Sequence, residues 1–181
     1  MALLFATSNK HKFGEASDML SKTGVTIEQL PFDHRELRSD SLEEIARDAV
    51  EEAYRRCGRP VFVEDSGLFV KGLGGFPGTY SGWVLKRIGV QGMLRLMSGM
   101  EERAAYFEAC IAYHDGKKVS VFHGRCEGSI AEEASGDSGF GFDPIFVPEG
   151  YSQTFAQSIE LKKELSHRYK SLLEFSKSLY S

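Results

Sequence analysis

Four short stretches gather side chains able to do chemistry on a charged ligand. The first, Thr7-Ser8-Asn9-Lys10-His11-Lys12, lies where an apolar run gives way to helical spacing. A helix N-terminus offers backbone N–H groups and the positive end of its dipole, so with Lys12 this turn could gather an anion, phosphate being the natural choice. The same residues also read as an ordinary cap, with Ser8 or Asn9 closing the helix and the lysines in water. The second is Glu64-Asp65, directly after Val61-Phe62-Val63. Two adjacent charges at the end of an apolar strand cost stability unless a cation compensates them, and magnesium takes one or two carboxylates together with phosphate oxygens. A turn acid followed by a salt-bridged acid is the alternative.

The third stretch, Phe140-Gly141-Phe142-Asp143-Pro144, sets two aromatics in a glycine-opened loop, where a ring can stack on a flat ligand while Asp143 orients it. Core packing is the commoner fate of phenylalanine. In the fourth, Ser166-His167-Arg168 places hydroxyl, imidazole and guanidinium at a helix start with Lys162 and Lys163 just upstream, either as a set of donors or as a solvated cap. Neither G-x-G-x-x-G nor G-x-x-x-x-G-K-[ST] occurs, which excludes the familiar dinucleotide and P-loop fingerprints. His34, His114 and His123 show no metal-ligand spacing.

The elements that must hold these groups follow from periodicity. Leu3 to Ala6 reads as a buried strand; Phe13, Ala16, Met19 and Leu20 follow at helical spacing, and Val25 to Leu30 alternates like a strand. Ser41-Leu42-Glu43-Glu44 has the capping-box pattern, opening a helix with Leu42, Ile45, Ala46, Ala49 and Ala53 inward that Gly58 ends. Val61 to Val63 is expected to be a short strand covered on both faces, stopping at Glu64. Gly72 to Gly82 reads as a loop, followed by a helix over Val84 to Met97. Ala104 to Tyr113 and Val119 to Cys126 read as an antiparallel pair with Asp115-Gly116 as a two-residue hairpin turn. Ala134 to Pro148 is loop-rich, and Ser166 caps a last helix whose apolar face is Leu172, Leu173, Phe175 and Leu179.

The 181 residues suit one domain or two small lobes sharing a core, and an apolar content of 41% with 27% charged residues excludes collagen-like and disordered classes. No apolar stretch is long enough to span a bilayer and the start lacks the basic flank of a signal peptide, so a cytoplasmic protein is expected. Cys57, Cys110 and Cys126 form no C-x-x-C pair, and reduced core residues are expected. With 22 basic against 26 acidic residues, a net charge of −4, nucleic acid is not an expected partner, and any phosphate site must be built locally.

Taken together, A-T-S-N-K-H-K at Ala6 to Lys12, V-E-D-S-G-L from Val63 with G-G-F-P-G-T-Y-S from Gly74, G-F-G-F-D-P-I-F from Gly139 and S-H-R from Ser166 resemble the inosine/xanthosine triphosphate pyrophosphatase family. The motifs span nearly the whole chain in the family's order and look most similar to its archaeal branch. The resemblance implies an α/β fold with two lobes around a long mixed β-sheet, flanking helices and a cleft between the lobes, as a single domain over 1–181, in a homodimer. It implies hydrolysis of aberrant purine nucleoside triphosphates to the monophosphate and pyrophosphate with Mg2+. Residue by residue, Thr7, Asn9 and Lys12, with Ser8 between them, match the phosphate motif; Asp65 matches the acid that activates water, and Ser66 lies beside the nucleotide. Glu36 matches a metal-binding acid, joined by Asp65 and Glu64. Phe140, Gly141, Phe142 and Asp143 match the base-binding segment, Lys162 a lysine directed at phosphate or base, and His167 and Arg168 the pair that reads the purine carbonyl edge. Two departures stand out. Ala156-Gln157-Ser158 replaces the Ala-Glu-Met of many members, and Ala49 and Glu52 stand where many bacterial members carry a helix lysine.

Overall fold

The computed structural model describes residues 2–33 and 37–180. In chain order the elements are β1 (Leu3–Ala6), α1 (Lys10–Lys22), β2 (Ile27–Leu30), α2 (Leu42–Cys57), β3 (Val61–Val70), β4 (Pro77–Gly78), α3 (Ser81–Leu96), β5 (Ala104–His114), β6 (Val119–Ile130), β7 (Phe146–Pro148), α4 (Ile159–Leu165) and α5 (His167–Ser178). Seven strands make one mixed sheet in the order β2-β1-β3-β5-β6-β7, with β4 paired to β3. β1 pairs in parallel with β2 from Leu3↔Ile27 to Ala6↔Leu30 and with β3 at Leu4↔Val61 and Phe5↔Phe62, whereas β4 on β3 and β7 on β6 run antiparallel. This is the mixed α/β sheet with flanking helices that the motifs led us to expect.

The chain divides into two compact units assembled from interleaved segments. The first unit takes Met1–Asp65, Ala109–Gly124 and Arg168–Ser181, and the second takes Ser66–Glu108 and Arg125–His167. β3, β5 and β6 each begin in one unit and end in the other. In the first unit Phe5 stacks on Phe62 at 4.3 Å between centroids, and Ala16, Met19 and Leu20 of α1 join Leu172 and Phe175 of α5 in the same core. In the second, Phe107, Phe142, Phe146 and Phe155 pack with Leu68, Val84, Met93 and Ile145. Each fully buried Leu, Phe or Met in these clusters contributes roughly 1.5–3 kcal/mol relative to exposure.

The helix starts follow the cap chemistry of the sequence. Asn9 Oδ1 accepts from the backbone N–H of His11 and of Lys12, and Ser41 Oγ accepts from Glu44 N at 3.2 Å. The reciprocal half of the capping box is diverted, because the Glu44 carboxylate accepts from Ser39 Oγ at 2.6 Å while Ser41 N donates to that same hydroxyl. Gly58, in the left-handed conformation, closes α2.

Several expectations need correction. β3 does not stop at Glu64 but continues to Val70, so the two acids lie inside a strand. The turn between β5 and β6 has four residues, not two, with Asp115 Oδ1 accepting from Lys117 N and Lys118 N at 2.7 and 2.9 Å. These two bonds lower the pKa of Asp115 below the ordinary carboxylate value. The loop-rich stretch before Pro148 ends in β7, a short α4 precedes Ser166, and α3 is interrupted at Gly89, whose φ of 65° no right-handed helix accommodates. No helix among the described residues is long and apolar enough to cross a membrane.

Candidate active site

β3 carries the acids and α1 brings Lys12 to them. The Lys12 ammonium lies 3.0 Å from Glu64 Oε2, donates to the Glu64 backbone carbonyl at 3.0 Å and stands 3.9 Å from Asp65 Oδ1. The two carboxylates approach the same ammonium but differ in burial: the Glu64 side chain is 1% exposed and that of Asp65 28%. Glu64 also accepts from Arg168 at the start of α5, with Nη2 3.1 Å from Oε1 and 3.5 Å from Oε2. The other arm of the guanidinium, Nη1, donates to Glu15 Oε2 at 2.6 Å. Burial works against the charge on Arg168, but the Glu64 and Glu15 carboxylates outweigh it and raise its pKa above the ordinary guanidinium value. Glu15, Arg168, Glu64, Lys12 and Asp65 thus form one chain of alternating charge within the first unit.

The helix N-terminus is less open than the sequence suggested. Asn9 occupies the His11 and Lys12 amides, Thr7 Oγ1 accepts from Asn9 N at 3.1 Å, and Ser8 exchanges bonds with Phe32, its hydroxyl donating to Phe32 O at 2.9 Å and accepting from Phe32 N at 3.1 Å. The capping role of Asn9 is therefore real, and it leaves the Lys12 side chain, rather than those two amides, as the cation of the turn. Gly67 follows the acids because β4 comes against β3 there: a Cβ at Gly67 would collide with the Gly78 carbonyl. Ser81 locks the approach, donating to Gly78 O at 2.7 Å and accepting from Leu68 N at 2.8 Å. Ser66, half-buried on β3, is the first residue of the second unit.

The second unit holds the aromatic motif. Phe142 is buried in its core, as phenylalanine more commonly is, so the ring available for stacking is that of Phe140. Asp143 is buried too, and its Oδ2 accepts from Phe140 N at 2.7 Å and from the Lys162 ammonium at 2.6 Å. Lys162 in turn sits over the Phe140 ring at 4.2 Å, a cation–π contact in a dry setting. Gly139 has φ +72°, and a Cβ there would strike the Asp143 carboxylate, which is why glycine opens the motif. His167, last residue of this unit, is buried and stacked on Phe107 at 4.6 Å with planes 12° apart. At the first departure Gln157 Oε1 accepts from Thr154 N at 2.9 Å and closes a turn; at the second Ala49 is buried and Glu52 pairs with Arg56.

For a divalent ion the donor set is mixed. Carboxylate oxygens suit magnesium. Asp65 offers one on a partly exposed side chain, whereas both oxygens of Glu64 already face buried or half-buried cations. Two unit charges of like sign about 4 Å apart repel by about 4 kcal/mol at an effective dielectric of about 20, and a divalent ion doubles that. Glu36 lies outside the described residues. Among those residues no group of three or more His, Cys, Asp or Glu is placed to hold a metal ion.

Residues 3–178 match the sequence model of the Ham1 family. The chain belongs to the Ham1 family. It is 46% identical over 177 residues to the dITP/XTP pyrophosphatase of Thermococcus kodakarensis, covering 97% of this chain and 96% of that one. With the dITP/XTP pyrophosphatase of Hyperthermus butylicus it shares 46% over 178 residues, 98% of this chain and 94% of the relative. Among solved structures, a HAM1 protein from Coxiella burnetii superposes with a TM-score of 0.86 at 27% identity and covers 99% of both chains. Within this Ham1 chain, sequence reasoning missed Glu15. Its signal was spacing alone: it follows Lys12 by three positions and so shares that face of α1.

Proposed function

We propose that the chain hydrolyses noncanonical purine nucleoside triphosphates, those of inosine, deoxyinosine and xanthosine, to the monophosphate and pyrophosphate. The observation that carries this reading is the placing of Lys12 beside the half-exposed Asp65 on β3, a cation for phosphate and an acid for water within 3.9 Å. The names of the archaeal relatives, matched over nearly their full length, support it.

Asp65 orients a water and takes its proton as the oxygen attacks the α-phosphorus. The bond from that phosphorus to the bridging oxygen breaks, and Lys12 meets the charge that gathers on departing pyrophosphate. Thr7, Ser8 and Asn9 shape the turn that presents Lys12, and Ser66 lies next to the acid on the strand. Asp65 and Glu36 would hold Mg2+, which supplies charge neutralisation to the triphosphate oxygens. Phe140 offers a ring to the base, fixed by Gly141, Asp143 and Lys162, with Phe142 anchoring the loop in the core. His167 and Arg168 favour a carbonyl at purine position 6: a guanidinium only donates, so adenine's amino group would face a donor, at a cost of about 1–3 kcal/mol. The chain acts as a cytoplasmic homodimer and needs neither nucleic acid nor membrane. Turnover of inosine triphosphate in 18O-water tests the chemistry. Label in the monophosphate with unlabelled pyrophosphate is expected; label in orthophosphate, or no turnover, would reject the reading.

A further inference from the structure

Glu64 was expected to serve as a metal ligand next to Asp65, but its surroundings suit another task. Its carboxylate is 1% exposed, Oε2 faces the Lys12 ammonium at 3.0 Å, and Oε1 accepts from Arg168 Nη2 at 3.1 Å. Asp65, the next residue of the strand, is more exposed and its Oδ1 lies 3.9 Å from the same ammonium. The Lys12 charge thus already stands where an ion shared by the two carboxylates would bind, and an ion at Glu64 would have to displace, or sit beside, both Lys12 and Arg168.

We propose that Glu64 is a positioning residue and not a metal ligand: its carboxylate fixes the phosphate-side cation Lys12 and the base-side cation Arg168 at one spacing. Arg168 is then held by two acids from different elements, Glu64 on β3 and Glu15 on α1, so its guanidinium has one orientation before any nucleotide arrives. Preorganisation of that kind serves selectivity, because a donor already anchored cannot swing away from a mismatched amino group. The inference rests on the proposed pyrophosphatase reading, and it makes Asp65 the acid of this pair that faces magnesium.

The test compares Glu64→Gln with wild type and Asp65→Asn. Its readouts are the ratio of kcat/KM for inosine over adenosine triphosphate at saturating Mg2+, the Mg2+ midpoint of turnover, and Mn2+ affinity followed by EPR with inorganic pyrophosphate present. Glu64→Gln is expected to lower the base ratio at least 10-fold while both metal readings stay within 2-fold of wild type. In Asp65→Asn the Mn2+ affinity is expected to fall at least 5-fold. A 5-fold or larger rise in the Mg2+ midpoint of Glu64→Gln, or an unchanged base ratio, would overturn the proposal. Should Glu64→Gln fail to fold, Glu64→Asp is read on the same scales; it keeps the charge on a shorter arm and should restore part of the ratio, which a merely structural role would not move. Wild-type protein that releases no pyrophosphate from any purine triphosphate rejects the pyrophosphatase reading itself, and this inference with it. Release by wild type with the metal shift described rejects the inference alone.

Discussion

The two units hold their charges in different ways. In the first, Glu15, Arg168, Glu64 and Lys12 form a chain in which Arg168 faces two acids and Glu64 two cations, joined across 52, 104 and 153 residues of sequence. In the second, Asp143 and Lys162 make a short ion pair with both side chains 3% exposed, 19 residues apart, closed over Phe140. A branched network spreads the loss of one member, while a dry pair concentrates it. The first unit should therefore answer a substitution mainly in activity, the second mainly in stability.

Asp65 is where the largest effect on activity is expected. Asp65→Asn should slow turnover by roughly 10²–10⁴ with little change in unfolding midpoint, the usual worth of a positioned base. Activity near wild type in steady-state assays would remove Asp65 from that role. Next comes the dry pair: Lys162→Met strands the Asp143 carboxylate and should cost about 3–5 kcal/mol in urea unfolding, as breaking a buried pair does. A cost under about 1 kcal/mol would erase the contrast between the units.

Arg168→Lys keeps the charge but loses the planar fork that spans Glu15 and Glu64, and kcat/KM for inosine triphosphate should fall about 10-fold, with a smaller loss for adenosine triphosphate. Equal losses would return Arg168 to a structural role. Cys110 reports on the first unit's interior. Burial, reinforced by the Glu43, Asp65 and Glu64 charges, pushes its thiol up to about 12 from 9.0. A pKa raised by folding gives no penalty below the unfolded value and loses stability as pH climbs past it, so the window is pH 9 to 12. By pH 10 wild type should have lost about 1.4 kcal/mol more than Cys110→Ala, measured by denaturant titration at each pH.

How much of this was legible depends on sequence distance. The cap at Asn9, which the sequence offered alongside Ser8, the cap at Ser41, the core faces of α1, α2 and α5 and the two opening strands rest on local spacing, and the structure has them. The extent of β3 was not visible, because Glu64-Asp65-Ser66 reads as a strand end. Partners from α1 and α5, 52 and 104 residues away, let a charge stay inside the strand. The Phe140 to Asp143 motif announced itself within four residues, yet that Asp143 faces Lys162 depends on α4, a helix too short to predict from periodicity. Glu15 carried no local signal beyond its spacing from Lys12, because its partner Arg168 lies 153 residues away.

The central claim is met most directly by incubating the protein and Mg2+ with inosine, xanthosine, adenosine and guanosine triphosphates and resolving pyrophosphate from orthophosphate. Pyrophosphate released from inosine and xanthosine triphosphates, with kcat/KM at least 10-fold above that for adenosine triphosphate, is the predicted result. Orthophosphate as the product, or equal rates on all four nucleotides, would contradict it.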